Sequence, residues 1–121
     1  MTPSPTPNFT VRAVLWDMDG TLMDSQPFWD EAFIHHCQAL GGDPRPELVA
    51  QMTGASIRQA RELIAATGAT PSPQDPATAE VFAQMAADVE ASVRVTPPIL
   101  PGARRITSML SEIGLAQVIV T

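Results

Sequence analysis

The chain has no tyrosine and no lysine, a single cysteine, and only 5% aromatic residues among its 121. One thiol, Cys37, cannot close an internal disulfide, which favours a reducing, cytoplasmic setting. The seven positive side chains are all arginines and face 13 acidic ones, for a formal net charge of −6. That balance lacks the basic footprint of a nucleic-acid binder. It also lacks a polybasic segment that would hold anionic lipid. No apolar run approaches the roughly 20 residues of a membrane-spanning helix. Residues 1–10 have neither a positive region nor an apolar stretch, so no secretory signal is expected there.

What is present is enough apolar material, 45% of residues, to bury a core. Proline is abundant, with 12 in the chain. Pro3, Pro5 and Pro7 alternate with polar residues, and residues 1–10 read as a flexible leader. The other prolines separate apolar segments. Val11 to Trp16 is short, apolar and followed by turn residues, which reads as a buried strand of a parallel sheet. Phe28 to Leu40 has a helical apolar face, with Pro27 in its first turn and Gly41 at its end. Pro46 to Met52 reads as a short helix closed by Gly54. Ser56 caps a third helix, with Ile57, Ala60, Leu63 and Ile64 inward. Asp75 caps a longer one whose Val81, Met85, Val89 and Val93 recur every fourth residue. After a break at residues 96–101, Pro101 to Ile113 reads as a helix with Ile106, Met109, Leu110 and Ile113 inward. Ala116 to Val120 is a second apolar strand. The order is that of a βαβ unit whose crossover is interrupted by a helical insert.

The chemistry concentrates where the first strand runs out, at Asp17-Met18-Asp19-Gly20-Thr21. Ligand crevices of open α/β sheets lie at the carboxyl ends of strands. Asp17 could attack a phosphorus atom and form an aspartyl-phosphate. Asp19 could give a proton to the leaving oxygen and later take one from water. A carboxylate approaching an anionic phosphate needs cationic help, which Mg²⁺ supplies through oxygen ligands. Gly20 permits a tight bend, and the N–H groups of the turn could hold phosphate oxygens. A calcium loop also begins with this acidic pair, but there glycine falls at the sixth position and here it falls at the fourth.

Val14-Leu15-Trp16-Asp17-Met18-Asp19-Gly20-Thr21-Leu22-Met23-Asp24-Ser25-Gln26-Pro27 resembles the first motif of the haloacid-dehalogenase-like (HAD) superfamily. It is most similar to the branch of β-phosphoglucomutase-like and sugar-phosphate phosphatases, in which a helical cap follows that motif. The resemblance implies an α/β fold: a partial Rossmann-like core at residues 11–23 and 96–121, with an all-helical cap at residues 24–95. It assigns Asp17 as nucleophile and Mg²⁺ ligand, and Asp19 as general acid/base that also binds the metal through its backbone carbonyl. Gly20 and Thr21 would meet substrate, and Thr21 would begin the cap hinge. Leu115 to Thr121 resembles the second motif, an apolar strand ending in a hydroxyl, so Thr121 would hold phosphate. Gly54 resembles a substrate-facing cap loop, and Arg58 could meet a further substrate group. Asp19 favours phosphoryl transfer, because dehalogenases of the superfamily lack the second acid.

The family's later motifs supply a lysine and further acidic metal ligands downstream of the second motif, and the sequence stops at Thr121. The expectation is therefore a fragment that is inactive alone. The parent enzyme would hydrolyse a small phosphorylated metabolite such as a sugar phosphate. The rivals are a phosphomutase of the same family and a non-catalytic remnant that binds a phosphoryl ligand or a partner. No nucleic-acid or membrane partner is expected. His35, His36 and Cys37 are consecutive and point about 100° apart on a helix, so they do not share one ion.

Overall fold

The computed structural model describes residues 10–120, so the Pro-rich leader up to Asn8 and Phe9, and Thr121, lie outside the described residues. The element order is β1 (Ala13–Asp17), α1 (Gln26–Ala39), α2 (Pro46–Gln51), α3 (Ile57–Ala66), α4 (Pro76–Val95), α5 (Ala103–Glu112) and β2 (Ala116–Val120). The chain divides into two compact units, residues 24–98 and the remainder on either side.

The 24–98 unit is a helical assembly with its own core. Phe33, Ile64, Met85 and Cys37 are fully buried within it. The fourfold spacing on α4 brings Val81, Met85 and Val89 inward, while Val93 packs at the edge. Trp29 of α1 stacks on Phe82 of α4, with ring centroids 5.8 Å apart. The caps follow side-chain chemistry. Ser56 and Gln59 form a reciprocal capping box at α3, and Asp75 accepts the Ala77 N–H at 2.8 Å to start α4. At α1, Ser25 occupies the cap position without a capping bond from its side chain. Asp24 Oδ1 instead accepts the Gln26 N–H at 3.2 Å. Ile57, expected inward, is 58% exposed: it sits at the first position of α3, outside the stripe formed by Ala60, Leu63 and Ile64.

The other unit holds the sheet. β1 and β2 are parallel and pair in the register Ala13 with Ala116 through Asp17 with Val120. Two expectations fail here. The strands are not buried on both faces: Leu15 is 70% exposed, and Val118 and Val120 are exposed on the same side. The stripe of α5 is not inward either, since Ile106, Met109 and Ile113 are exposed and Ala103 is its buried residue. The reason is geometric. Side chains alternate across a sheet, so one helix beside two strands can shelter one face only. Among the described residues of this unit, α5 is the only helix.

Such a parallel sheet with an inserted helical assembly matches a partial Rossmann-like core carrying a helical cap. No helix among the described residues is long and apolar enough to cross a membrane.

Candidate active site

β1 delivers Asp17 as its last residue, where the ladder to Val120 ends. The chain then folds into a tight loop around one carbonyl. Met18 C=O accepts the N–H groups of Thr21, Leu22 and Met23 at 3.3, 2.9 and 3.1 Å, and Gly20 N–H donates to Met23 C=O at 2.7 Å. Gly20 has φ +78°, a conformation that costs an L side chain steric energy, which is why glycine follows Asp19. The Thr21 hydroxyl donates to Asp17 Oδ2 at 3.4 Å, returning across the loop to the first carboxylate. Asp17 and Asp19 are both exposed at this end of the sheet.

The loop has a consequence for phosphate binding. The amides of Gly20 and Thr21, expected to be open to phosphate, have partners inside the loop in this conformation. The loop therefore acts first as a scaffold that sets the two carboxylates two residues apart on a fixed bend.

The remaining candidates fall elsewhere. Gly54 lies two residues past the C-cap of α2 with φ +71°, and Ala55 N–H closes that turn onto Met52 C=O at 3.1 Å. Arg58 stands exposed in the first turn of α3, 3.3 Å from Glu62 one turn on. Both belong to the 24–98 unit, whereas Asp17, Asp19, Gly20 and Thr21 belong to the other. Thr121 lies outside the described residues. Cys37 is fully buried, and burial pushes its thiol pKa up, with a hydrogen bond from Thr67 pulling the other way. His36 Nε2 and Asp88 Oδ2 are 2.6 Å apart, joining α1 to α4, and the His35 ring meets His36 edge-on. Among the described residues no three His, Cys, Asp or Glu side chains gather to hold a metal ion. The donors that the resemblance assigns, the Asp17 carboxylate and the Asp19 backbone carbonyl, stand two residues apart in sequence and are oxygen-only. That suits Mg²⁺, which binds through one or two carboxylates and keeps waters and substrate phosphate for the rest.

One feature of this unit was not anticipated from the sequence. Gln117, the lone polar residue of β2, accepts the Trp16 indole N–H at 2.9 Å. Its amide nitrogen donates to Thr107 C=O at 2.9 Å and Ser111 Oγ at 3.0 Å. A polar residue inside an otherwise apolar strand was the available signal.

An acidic pair on a bent loop at the carboxyl end of a parallel strand, with a helical insert behind it, defines a class of protein. The chain belongs to the haloacid dehalogenase-like hydrolase family, whose sequence model matches residues 11–121. Among curated relatives, hexitol phosphatase B from Escherichia coli K12 is 32% identical over 106 residues, covering 87% of this chain and 46% of the relative. Hexitol phosphatase B of Escherichia coli O157:H7 matches equally. The chain thus spans about half the length of the curated relatives it matches. Among solved structures, β-phosphoglucomutase from Clostridium difficile aligns with a TM-score of 0.68 at 14% identity, over 91% of this chain and 51% of that one. That likeness supports the fold, a HAD core with a cap.

Proposed function

We propose that the protein performs Mg²⁺-dependent phosphoryl transfer through an aspartyl-phosphate, hydrolysing a small phosphomonoester of the sugar-phosphate or hexitol-phosphate type. The observation that carries this reading is the placement of Asp17 and Asp19 on one bend at the end of β1, with the Thr21 hydroxyl on Asp17 Oδ2. Family membership and the similarity to a hexitol phosphatase support it.

In this reading Thr21 holds one carboxylate oxygen of Asp17 and leaves the other for attack. A bond forms from that oxygen to phosphorus as the ester P–O bond breaks, and Asp19 protonates the departing alkoxide. Asp19 then takes a proton from water, which attacks phosphorus, breaks the acyl-phosphate bond and releases inorganic phosphate. Asp17 through its carboxylate and Asp19 through its backbone carbonyl would hold Mg²⁺, which when bound neutralises phosphoryl charge. Arg58 and the loop at Gly54 would meet the sugar portion of the substrate, and Thr121 would hold phosphate. The chain has no lysine, so the cationic partner of the phosphorylated Asp17 would come from further residues in cis or from another subunit.

The test is phosphate release from a panel of hexose and hexitol phosphates by the product of the whole reading frame, with and without Mg²⁺. Metal-dependent release that disappears in Asp17→Asn supports the reading. Isomerised sugar phosphate without free phosphate would make the protein a phosphomutase. Phosphoryl-ligand binding without turnover would make it a non-catalytic binder.

A further inference from the structure

Parallel strands hold their register most firmly when one face is buried, because a slip then exposes an apolar row. The sheet of this chain holds that constraint only weakly, since Val14, Trp16 and Gln117 on the α5 side are no more than half-buried. Leu15, Val118, Ile119 and Val120 are all more than half exposed. The ladder itself is degenerate, since backbone bonds re-form after a two-residue slip and every side chain keeps its face. Something more specific has to distinguish the observed pairing from its neighbours.

The Gln117 amide has the required specificity. Trp16 can only donate and the Thr107 carbonyl can only accept, so Oε1 must face Trp16 and Nε2 must face Thr107. Gln117 belongs to β2, and through Thr107 and Ser111 it is anchored to α5, the helix that leads into β2. Its bond to Trp16 reaches across to β1. A two-residue slip sets Gln117 opposite Arg12 in one direction and opposite Trp16 in the other, in place of Val14. With Nε2 held on α5, the diagonal bond from the Trp16 indole to Oε1 is lost in the first slip, where an exposed arginine stands in its place, and has to be rebuilt at a shorter spacing in the second.

We propose that Gln117 is a positioning residue: through Trp16 it fixes the β1–β2 register, and with it the placement of the adjacent Asp17 carboxylate beside the end of β2. The functional half of this statement rests on Asp17 being the nucleophile. The register half does not.

The experiment reads the register in the full 121-residue chain by disulfide trapping. Ala13 and Ala116 are direct partners and both exposed, so Ala13→Cys with Ala116→Cys reports the native register. Ala13→Cys with Val118→Cys reports a slip one way, and Leu15→Cys with Ala116→Cys the other. In the native register these pairs are about 8 Å apart, too far to bridge. The native cysteine, Cys37, is buried. Each pair is oxidised in the parent and in Gln117→Met, which conserves volume and removes the hydrogen bonds. The expected result is a native pair that dominates in the parent and a rise of at least fivefold in a slipped pair relative to it in Gln117→Met. Trp16→Phe should give the same rise, and the double variant no more than either alone. An unchanged preference for the native pair overturns the proposal. So does loss of all cross-links with the helical circular dichroism intact, since Gln117 would then hold the sheet together rather than choose its register. No outcome depends on turnover, so failure here is separate from failure of the phosphatase reading.

Discussion

The two units divide the burden of the molecule unequally. Residues 24–98 carry ten acidic and four basic side chains, and the flanking unit carries three of each, so the whole net charge of −6 lies on the helical unit. That unit also supplies every residue of the buried core cluster. The sheet unit has no net charge and leaves Leu15, Val118, Ile119 and Val120 more than half exposed, yet it carries the acidic pair at the end of β1. The buried core and the acidic pair are thus separated along the chain. A change in one unit should be read mainly in one observable.

Asp17→Asn is the largest expected effect. It should lower turnover of the active protein by about a thousandfold or more while leaving the unfolding midpoint unchanged. Full activity in that variant would remove the proposed nucleophile. Phe33→Ala should show the reverse, costing about 3–5 kcal/mol by urea unfolding because the ring is wholly buried. Leu15→Ala, at a site 70% exposed, should stay within about 0.5 kcal/mol, and an equal cost for the two would abolish the contrast between the units. Thr78→Val comes next. The Thr78 hydroxyl is fully buried, donates to Ser72 C=O at 2.6 Å and accepts from Thr70 at 2.6 Å. Removing it leaves the buried Thr70 hydroxyl and the half-buried Ser72 carbonyl without this partner, at a cost of about 1–3 kcal/mol in the same measurement. The smallest effect is a pH dependence from Cys37. Its folded pKa is raised, so the stability it contributes is whole below the ordinary thiol range and is lost as pH rises through the folded value. Between roughly pH 8 and 10 the unfolding midpoint of the parent should fall more than that of Cys37→Ala. Parallel curves would show that the thiol contributes nothing.

The helical unit was more legible than the sheet unit because it buries its own apolar stripes. Its stripes at Val81, Met85 and Val89, and at Ala60, Leu63 and Ile64, are buried by neighbours of similar pattern, so periodicity and burial coincide. The stripe of α5 has the same periodicity but is not covered among the described residues. Pattern reports what a face would bury, and here it is still exposed. The acidic pair could be read because its residue types and spacing are rare. The way Met18 C=O gathers three amides could not, because backbone hydrogen bonds leave no mark on residue identity. Gln117 was passed over because one amide in an apolar strand fits many surroundings, and its partners on Trp16, Thr107 and Ser111 are distant in sequence.

The two crossings between units share one doorway. Leu100 N–H donates to Leu22 C=O, Met23 bridges Ile99 in antiparallel fashion, and Asp24 N–H donates to Pro98 C=O. The backbone thus departs at Met23 and returns at Ile99 beside its point of departure. For a gene under selection this is a splice point: the 75 intervening residues could be lengthened, exchanged or replaced by a short turn while β1 and its acidic loop kept their ends in place. The insert could then change in length and surface while the acidic pair at the end of β1 is inherited unchanged.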